Sequence, residues 1–246
     1  MHDHDPRLAK IRKLLAQAED PAATPAEAVA FTAKATELIA AYGIDAALLD
    51  DTAPDTSPVG DLVLEMLAPY AVEKSVLAFE VTDALRCHGV RRRLADRHGT
   101  RISLHVFGRR ADLECLEMLF TSLLLQGTAA IVRTPVPWGE HVAAFRRTWW
   151  LGFAGAVGER LREAGQQAVQ EAEDRFARAG TTGALVLADH AREAEEALRA
   201  AYPDVVTAAP RRLSGGGARL GWQSGQRADL GTTGRVGGSM RGQIAN

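Results

Sequence analysis

Arg7-Leu8-Ala9-Lys10-Ile11-Arg12-Lys13-Leu14-Leu15-Ala16-Gln17, followed beyond Asp20-Pro21 by Thr24-Pro25-Ala26-Glu27-Ala28, opens the chain with two helix signals in succession. In the first, Leu8, Ile11, Leu14, Leu15 and Ala18 recur at helical spacing, while Arg7, Lys10 and Lys13 form a second, basic stripe. Asp20-Pro21 breaks that helix. Thr24 then stands as N-cap, Pro25 at the first helical position and Glu27 where it can reach back to a free amide, the arrangement of a capping box. The second helix carries Ala28, Phe31, Ala35, Leu38, Ile39 and Tyr42 on one face, and Gly43 stands where a left-handed C-terminal residue is wanted. Residues 45–49 read as one capped turn beyond it. Two amphipathic helices joined by about six residues bury their stripes against each other, so residues 1–50 are expected to form an N-terminal helical hairpin domain.

The same stretch carries a resemblance. Lys10-Ile11-Arg12-Lys13-Leu14-Leu15-Ala16, Ala22-Ala23-Thr24-Pro25-Ala26-Glu27-Ala28, Ala33-Lys34-Ala35, Glu37-Leu38 and Tyr42-Gly43-Ile44 closely resemble the start of proteins in the domain-of-unknown-function 2786 family. Such proteins are of a type found in actinobacteria and their phages. Phe107-Gly108-Arg109 with Asp112-Leu113-Glu114 is similar to the second domain that often follows. The resemblance implies no catalytic residue and transfers no activity.

Composition bounds the remaining possibilities. At 246 residues, 46% hydrophobic and 24% charged, the chain is ordinary for a soluble globular protein of one large or two small domains. A net charge of −2 argues against a protein that coats nucleic acid with its whole surface and leaves room for local basic patches. Met1-His2-Asp3-His4-Asp5 is polar with no apolar core behind it, so no signal peptide is expected. No apolar run near 20 residues is read, and no membrane contact is expected. Cys87 and Cys115 form no Cys-x-x-Cys pair and read as free thiols of a cytoplasmic protein.

Residues 51–60 form a polar, proline-marked linker, after which a second unit is expected over 61–209. Residues 62–67 read as a short helical turn and 72–86 as a buried helix. Residues 90–94 and 102–107 flank Asp96-Arg97-His98-Gly99, and Ile102, Leu104 and Val106 alternate with Ser103, His105 and Phe107, the signature of a two-stranded β-hairpin. A lone hairpin is marginal in water, so helices on either side should cover it. One such helix starts near Asp112. The longest opens at Trp138 and runs to about Phe176, carrying three of the four tryptophans. Within it Gly152, Gly155 and Gly158 recur every third residue, a ridge that suits close approach of another helix and marks a surface for a homodimer. Residues 191–201 form a charged surface helix capped by Asp189. Residues 210–246, rich in glycine and arginine, are expected to be a flexible tail on which Leu220, Trp222 and Leu230 can dock. The fold class is therefore α+β and mainly α: a helical hairpin, then a two-stranded β-hairpin packed by long helices.

Candidate chemistry is sparse. The histidines show no pair spaced four apart on a helix and no His-Glu-x-x-His, so no metal is assigned. Cys87 beside His88 sits in apolar surroundings that suit a core thiol. Gly215-Gly216-Gly217 lacks the Lys-Ser/Thr of a phosphate-binding loop, and no cofactor is implied. No catalytic residue is assigned. What remains is cationic: Arg7, Lys10, Arg12 and Lys13 on the first helix, Arg91, Arg92, Arg93 and Arg97 on the hairpin, and Arg109 and Arg110 at the next helix start. Such patches on a near-neutral chain suit phosphate contacts, although an arginine-rich composition also puts arginines on every surface. The expectation is a non-enzymatic cytoplasmic binding or adaptor protein, with nucleic acid or a nucleic-acid-associated protein as partner. The alternative is a hydrolase-type enzyme using His105 or His141 with a nearby acid.

Overall fold

Helices and strands follow the apolar periodicity of the chain through residues 6–20, 25–52, 59–96, 99–207 and 213–228, the residues that the computed structural model describes. Helices α1 (Pro6–Glu19) and α2 (Pro25–Thr52) form the expected hairpin. Leu8, Ile11 and Leu15 of α1 and Ala35 and Ile39 of α2 are buried, as their stripes require. The second helix does not stop at Gly43, and residues 45–49 continue it. Gly43 permits close approach instead of capping. A Cβ there would lie 2.9 Å from the Arg86 guanidinium and 3.2 Å from Asp112 Oδ1, and these two groups form a buried ion pair at 2.9 Å. Thr24 and the side chain of Glu27 lie outside the described residues.

Strand β1 (Val59–Met66) replaces the end of the expected linker and the expected helical turn at 62–67. Its Leu62, Leu64 and Met66 alternate with Asp61, Val63 and Glu65, which is the period of a half-buried strand; Leu64 and Met66 are buried. It pairs with β3 (Gly99–Arg109), which also pairs with β2 (His88–Asp96), so the sheet has three antiparallel strands in the order β1-β3-β2 and not two. The third strand widens the apolar face that a lone hairpin lacks. In the register, Leu64 and Arg91 flank Leu104, while Met66 and Arg93 flank Ile102. That face packs on α3 (Ala71–Ala84) and α4 (Arg110–Arg133). His105, Phe107 and Arg109 face the other way, under α6 (Gly183–Ala201).

The expected absence of a long apolar run does not hold for α4, which is long and apolar enough to cross a membrane by length and composition. Its Leu113, Leu116, Leu119, Phe120, Leu123 and Ile131 are buried in the core. Helix α5 (Val142–Arg178) spans 37 residues and starts beyond Trp138, with His141 as its N-cap, so it carries two tryptophans and not three. Trp138 is fully exposed. Trp149 stacks on Phe153 at 5.3 Å, and Trp150 meets both edge-on. Large aromatic side chains bury the most apolar area per residue, which makes this trio the centre of the core. Helix α6 begins well before the expected Asp189 cap. Thr182 caps it, and Val186, His190, Ala194 and Leu198 form one buried stripe at a spacing of four.

The glycine ridge of α5 meets its partners inside the same chain. A Cβ at Gly152 would fall 2.0 Å from the Ala218 carbonyl oxygen of α7 (Ala218–Arg227), and one at Gly158 would fall 2.0 Å from the Glu80 carboxylate of α3. The α7 segment answers with Gly217, Gly221 and Gly225, whose added Cβ atoms would lie 2.1, 1.9 and 2.6 Å from the carbonyl oxygens of Phe145, Trp149 and Phe153. Two glycine-faced helices thus lie backbone to backbone. The ridge is therefore filled, which removes it as the surface of the expected homodimer, and residues 213–228 are ordered structure where a flexible tail was expected from residue 210. Leu8, Ile11 and Ile39 share one apolar cluster with Leu116, Trp149 and Ala228. The hairpin, sheet and α7 accordingly share a core across the expected boundary at 51–60.

Candidate nucleic-acid interface

The sheet register decides which arginines of β2 meet the helices. Arg91 and Arg93 lie on the helix-covered face, and Arg92 lies on the other. Arg91 donates through Nη1 to Ser75 Oγ at 3.3 Å and is half-buried against α3. Arg93, one residue pair further along, is exposed. It borders an open cleft of about 540 Å³ formed by the start of α3, the start of α5 and the end of β2, with Pro69, Tyr70, Glu73 and Arg147 also on its walls. Among the described residues neither Arg93 nor Arg147 has an acid partner, whereas Glu73 is buried and engaged within the fold.

The cleft wall is held by an unusual turn. Tyr70, the residue before α3, has φ 66° and lies in the left-handed region, which bulky non-glycine residues rarely adopt. Lys74, one turn into α3, donates through Nζ to the Leu67 carbonyl at 3.1 Å and fastens that turn from beneath. The ammonium is largely buried, with the Trp150 ring 6.0 Å away, and its burial lowers its pKa. Backbone strain and a desolvated lysine are both spent on positioning the segment that presents Tyr70.

The other cationic candidates go elsewhere. Arg7 pairs with Asp45 at 3.0 Å and lies 4.9 Å from the Tyr42 ring centroid, and Arg175 of α5 binds the same carboxylate. Lys10, Arg12 and Lys13 are exposed along α1. Arg12 borders a second cleft, of about 370 Å³, together with Glu114 and Glu117, so its charge is offset there. Arg109 pairs with Glu193, and Arg110 with Glu114 at 3.0 Å. Arg92 is half-buried, and Arg97 lies outside the described residues. Of the ten expected residues, Arg93 lines this cleft, Arg91 shares its sheet face but is held against Ser75, and Arg147 joins Arg93 on the cleft wall. No linear signal marks Arg147, which sits in a different element from the Arg91-Arg92-Arg93 run.

His105 is the most connected histidine. Its Nε2 meets Asp61 Oδ2 at 2.9 Å, its Nδ1 meets the Tyr202 hydroxyl at 2.7 Å, and its ring lies 4.5 Å from that of Phe107. His141 serves as a cap, accepting from the Ala144 amide at 3.4 Å through Nδ1. His190 is buried, and burial followed by Arg109 and Arg86 lowers its pKa to about 4. Cys87 and Cys115 are free and buried, and burial raises both thiol pKa values, with Asp112 adding to the shift. No group of three metal-ligating side chains exists among the described residues. A void of about 20 Å³ beside Arg86, between α2, α3, α4 and α5, has room for a water molecule at most.

No curated protein and no solved structure matches the chain. Residues 8–46 match the model of the family described as Protein of unknown function (DUF2786), and this match falls on the segment that forms the α1–α2 hairpin.

Proposed function

We propose that this is a non-enzymatic, cytoplasmic binding or adaptor protein that holds nucleic acid at the Arg93–Arg147 cleft, in the setting of actinobacterial or phage nucleic-acid assemblies. One observation carries the reading: two cations from elements far apart in sequence border one concave site, and among the described residues no acid is paired to either. Among the described residues Arg110, Arg162, Arg192 and Arg199 are matched by carboxylates and other exposed arginines such as Arg133, Arg178 and Arg227 are not, so what sets Arg93 and Arg147 apart is the cleft they share. Two positive charges on the walls of one concave site favour an anion there. The cleft walls carry no histidine, cysteine or serine, and the one carboxylate on them, Glu73, is buried and engaged within the fold, which supports binding over catalysis at this site. Titration of the intact protein with labelled single-stranded and duplex oligonucleotides at low salt tests the reading. Binding should be detectable, should fall steeply as salt rises, and should weaken in Arg93→Ala. Absence of any binding at low salt would overturn it.

A hydrolase is the second reading, favoured by the Asp61–His105–Tyr202 chain. Both ring nitrogens of His105 are already bonded, so the imidazole reaches a substrate only through the Tyr202 hydroxyl. None of the three residues borders the clefts described above. The same bonds tie the end of α6 to β1 and β3, which is a structural task. Hydrolysis of a generic ester or phosphodiester that disappears in His105→Ala, at unchanged secondary structure, would favour the enzyme.

A further inference from the structure

The geometry points to single-stranded nucleic acid as the form the cleft takes, with Tyr70 and Trp138 as stacking platforms for its bases; this rests on the nucleic-acid reading above. A concave site of about 540 Å³ matches the size of a small-ligand pocket and so accommodates a nucleotide or two. A duplex keeps its bases stacked inside a rigid rod and is usually read by a convex element laid into a groove. It would touch this concave site only at the rim. A single strand can turn its bases into the cleft while its phosphates meet Arg93 and Arg147, the combination of cationic track and aromatic faces on which unpaired strands are held.

Two aromatics are placed for that role. Tyr70 stands on the wall, half-buried, in a left-handed conformation that the Lys74–Leu67 hydrogen bond fastens. Trp138 is fully exposed in the short loop that leads into α5, the helix that supplies Ala143 and Arg147 to the same cleft. Pro135 and Pro137 precede it and limit the loop's freedom. Every other tryptophan of the chain packs against the core or against α5: Trp149 and Trp150 are buried, and the Trp222 ring covers Gly155. An indole held out in water in the loop that leads into the helix carrying Arg147 has no packing to contribute, and a base supplies the missing face.

The test compares labelled oligo(dT) and oligo(U) of about 12 nucleotides, within the span that such sites cover, with a duplex of equal length at low salt. The single strands should bind at least about tenfold more tightly. Trp138→Ala should weaken oligo binding by about 5- to 150-fold, the range for one stacked base, with the duplex affinity and the salt dependence unchanged. Trp138→Phe should restore most of the loss. Tyr70→Asn removes the second ring with a residue that tolerates the left-handed backbone, and should weaken binding in the same way. Equal affinity for duplex and single strand, with Trp138→Ala and Tyr70→Asn binding like the parent, would overturn the inference. If Arg93→Ala and Arg147→Ala still lost affinity in that case, the nucleic-acid reading would survive it. A parent protein that binds no oligonucleotide would defeat both.

Discussion

Replacing Gly221 by alanine places one methyl group where the structure has no room for it. The new Cβ would lie 1.9 Å from the Trp149 carbonyl oxygen and 2.7 Å from its carbonyl carbon. A carbon rests against a carbonyl oxygen at about 3.3 Å, so α7 would have to retreat by about 1.4 Å. The obstacle is backbone in the middle of α5 and cannot rotate away. Nor can α7 pivot, because Gly152 meets Ala218 O and Gly217 meets Phe145 O at similarly short range on the same seam. Overpacking of this kind costs about 1–3 kcal/mol, and the rigid obstacle puts this site at the upper end. Alanine recovers about 1 kcal/mol of helix propensity. The net loss should be about 2 kcal/mol, a fall in melting temperature of about 4–8 °C for a chain of this size. Gly165→Ala provides the matched control, since a Cβ there meets nothing within 4 Å; the propensity gain is then unopposed, and melting should rise by about 2–4 °C. Thermal melts followed by circular dichroism measure both, and hydrogen exchange should show α7 amides opening faster in Gly221→Ala alone. A Gly221→Ala protein that melts at or above the parent would refute the backbone-to-backbone seam.

Three further outcomes follow from buried charge. Asp112→Ala strands the Arg86 guanidinium beside Gly43, and urea unfolding should show a loss of about 3–5 kcal/mol; a loss below about 1 kcal/mol would mean the pair is solvated. His190 stays neutral in the fold down to about pH 4, whereas the unfolded chain takes up its proton near 6.5. Stability from this group is therefore complete above that pH and is lost as pH falls from about 6.5 to about 4, by about 1–2 kcal/mol after screening. His190→Asn should flatten that part of the stability curve, and an unchanged slope would contradict the assignment. Cys87 and Cys115, held protonated by burial, should react slowly with a thiol reagent in the native protein and give two equivalents on denaturation. A fast-reacting native thiol would show that the packing over Cys87 or Cys115 opens.

Local periodicity made the helices of this fold legible, and long-range pairing hid the rest. The α1–α2 stripes and the alternation of 102–107 are local patterns, and they fold as read. The first strand is hard to read locally because its alternation is short and blurred by the apolar Val63 and Leu67 on the outward face; its pairing with β3 bridges helix α3 and strand β2. Gly43 resembles a helix end in sequence, yet what it admits is an ion pair formed by two other elements. The α5 ridge announced a partner helix. The identity of that partner was also written in the sequence, as Gly217-x-x-x-Gly221-x-x-x-Gly225, but glycine richness in a basic segment reads first as chain entropy. For the candidate site, Arg93 is legible as a charge, whereas its having no acid partner among the described residues is not. Arg109 and Arg110 are equivalent to it in sequence and differ in the fold, where Glu193 and Glu114 pair with them.

Binding of nucleic acid at the Arg93–Arg147 cleft, as opposed to binding by cations at large, should be visible in the slope of log affinity against log salt concentration for a single-stranded oligonucleotide. Arg93→Ala/Arg147→Ala should reduce that slope by about 1.4, or about 0.7 for each lost phosphate contact, and should melt within about 0.5 kcal/mol of the parent because both side chains are exposed. Lys10→Ala/Arg12→Ala/Lys13→Ala removes three exposed charges from α1 and should leave the slope unchanged. Equal slopes for the cleft variant and the parent, or a larger fall in the α1 variant, would contradict binding at the cleft.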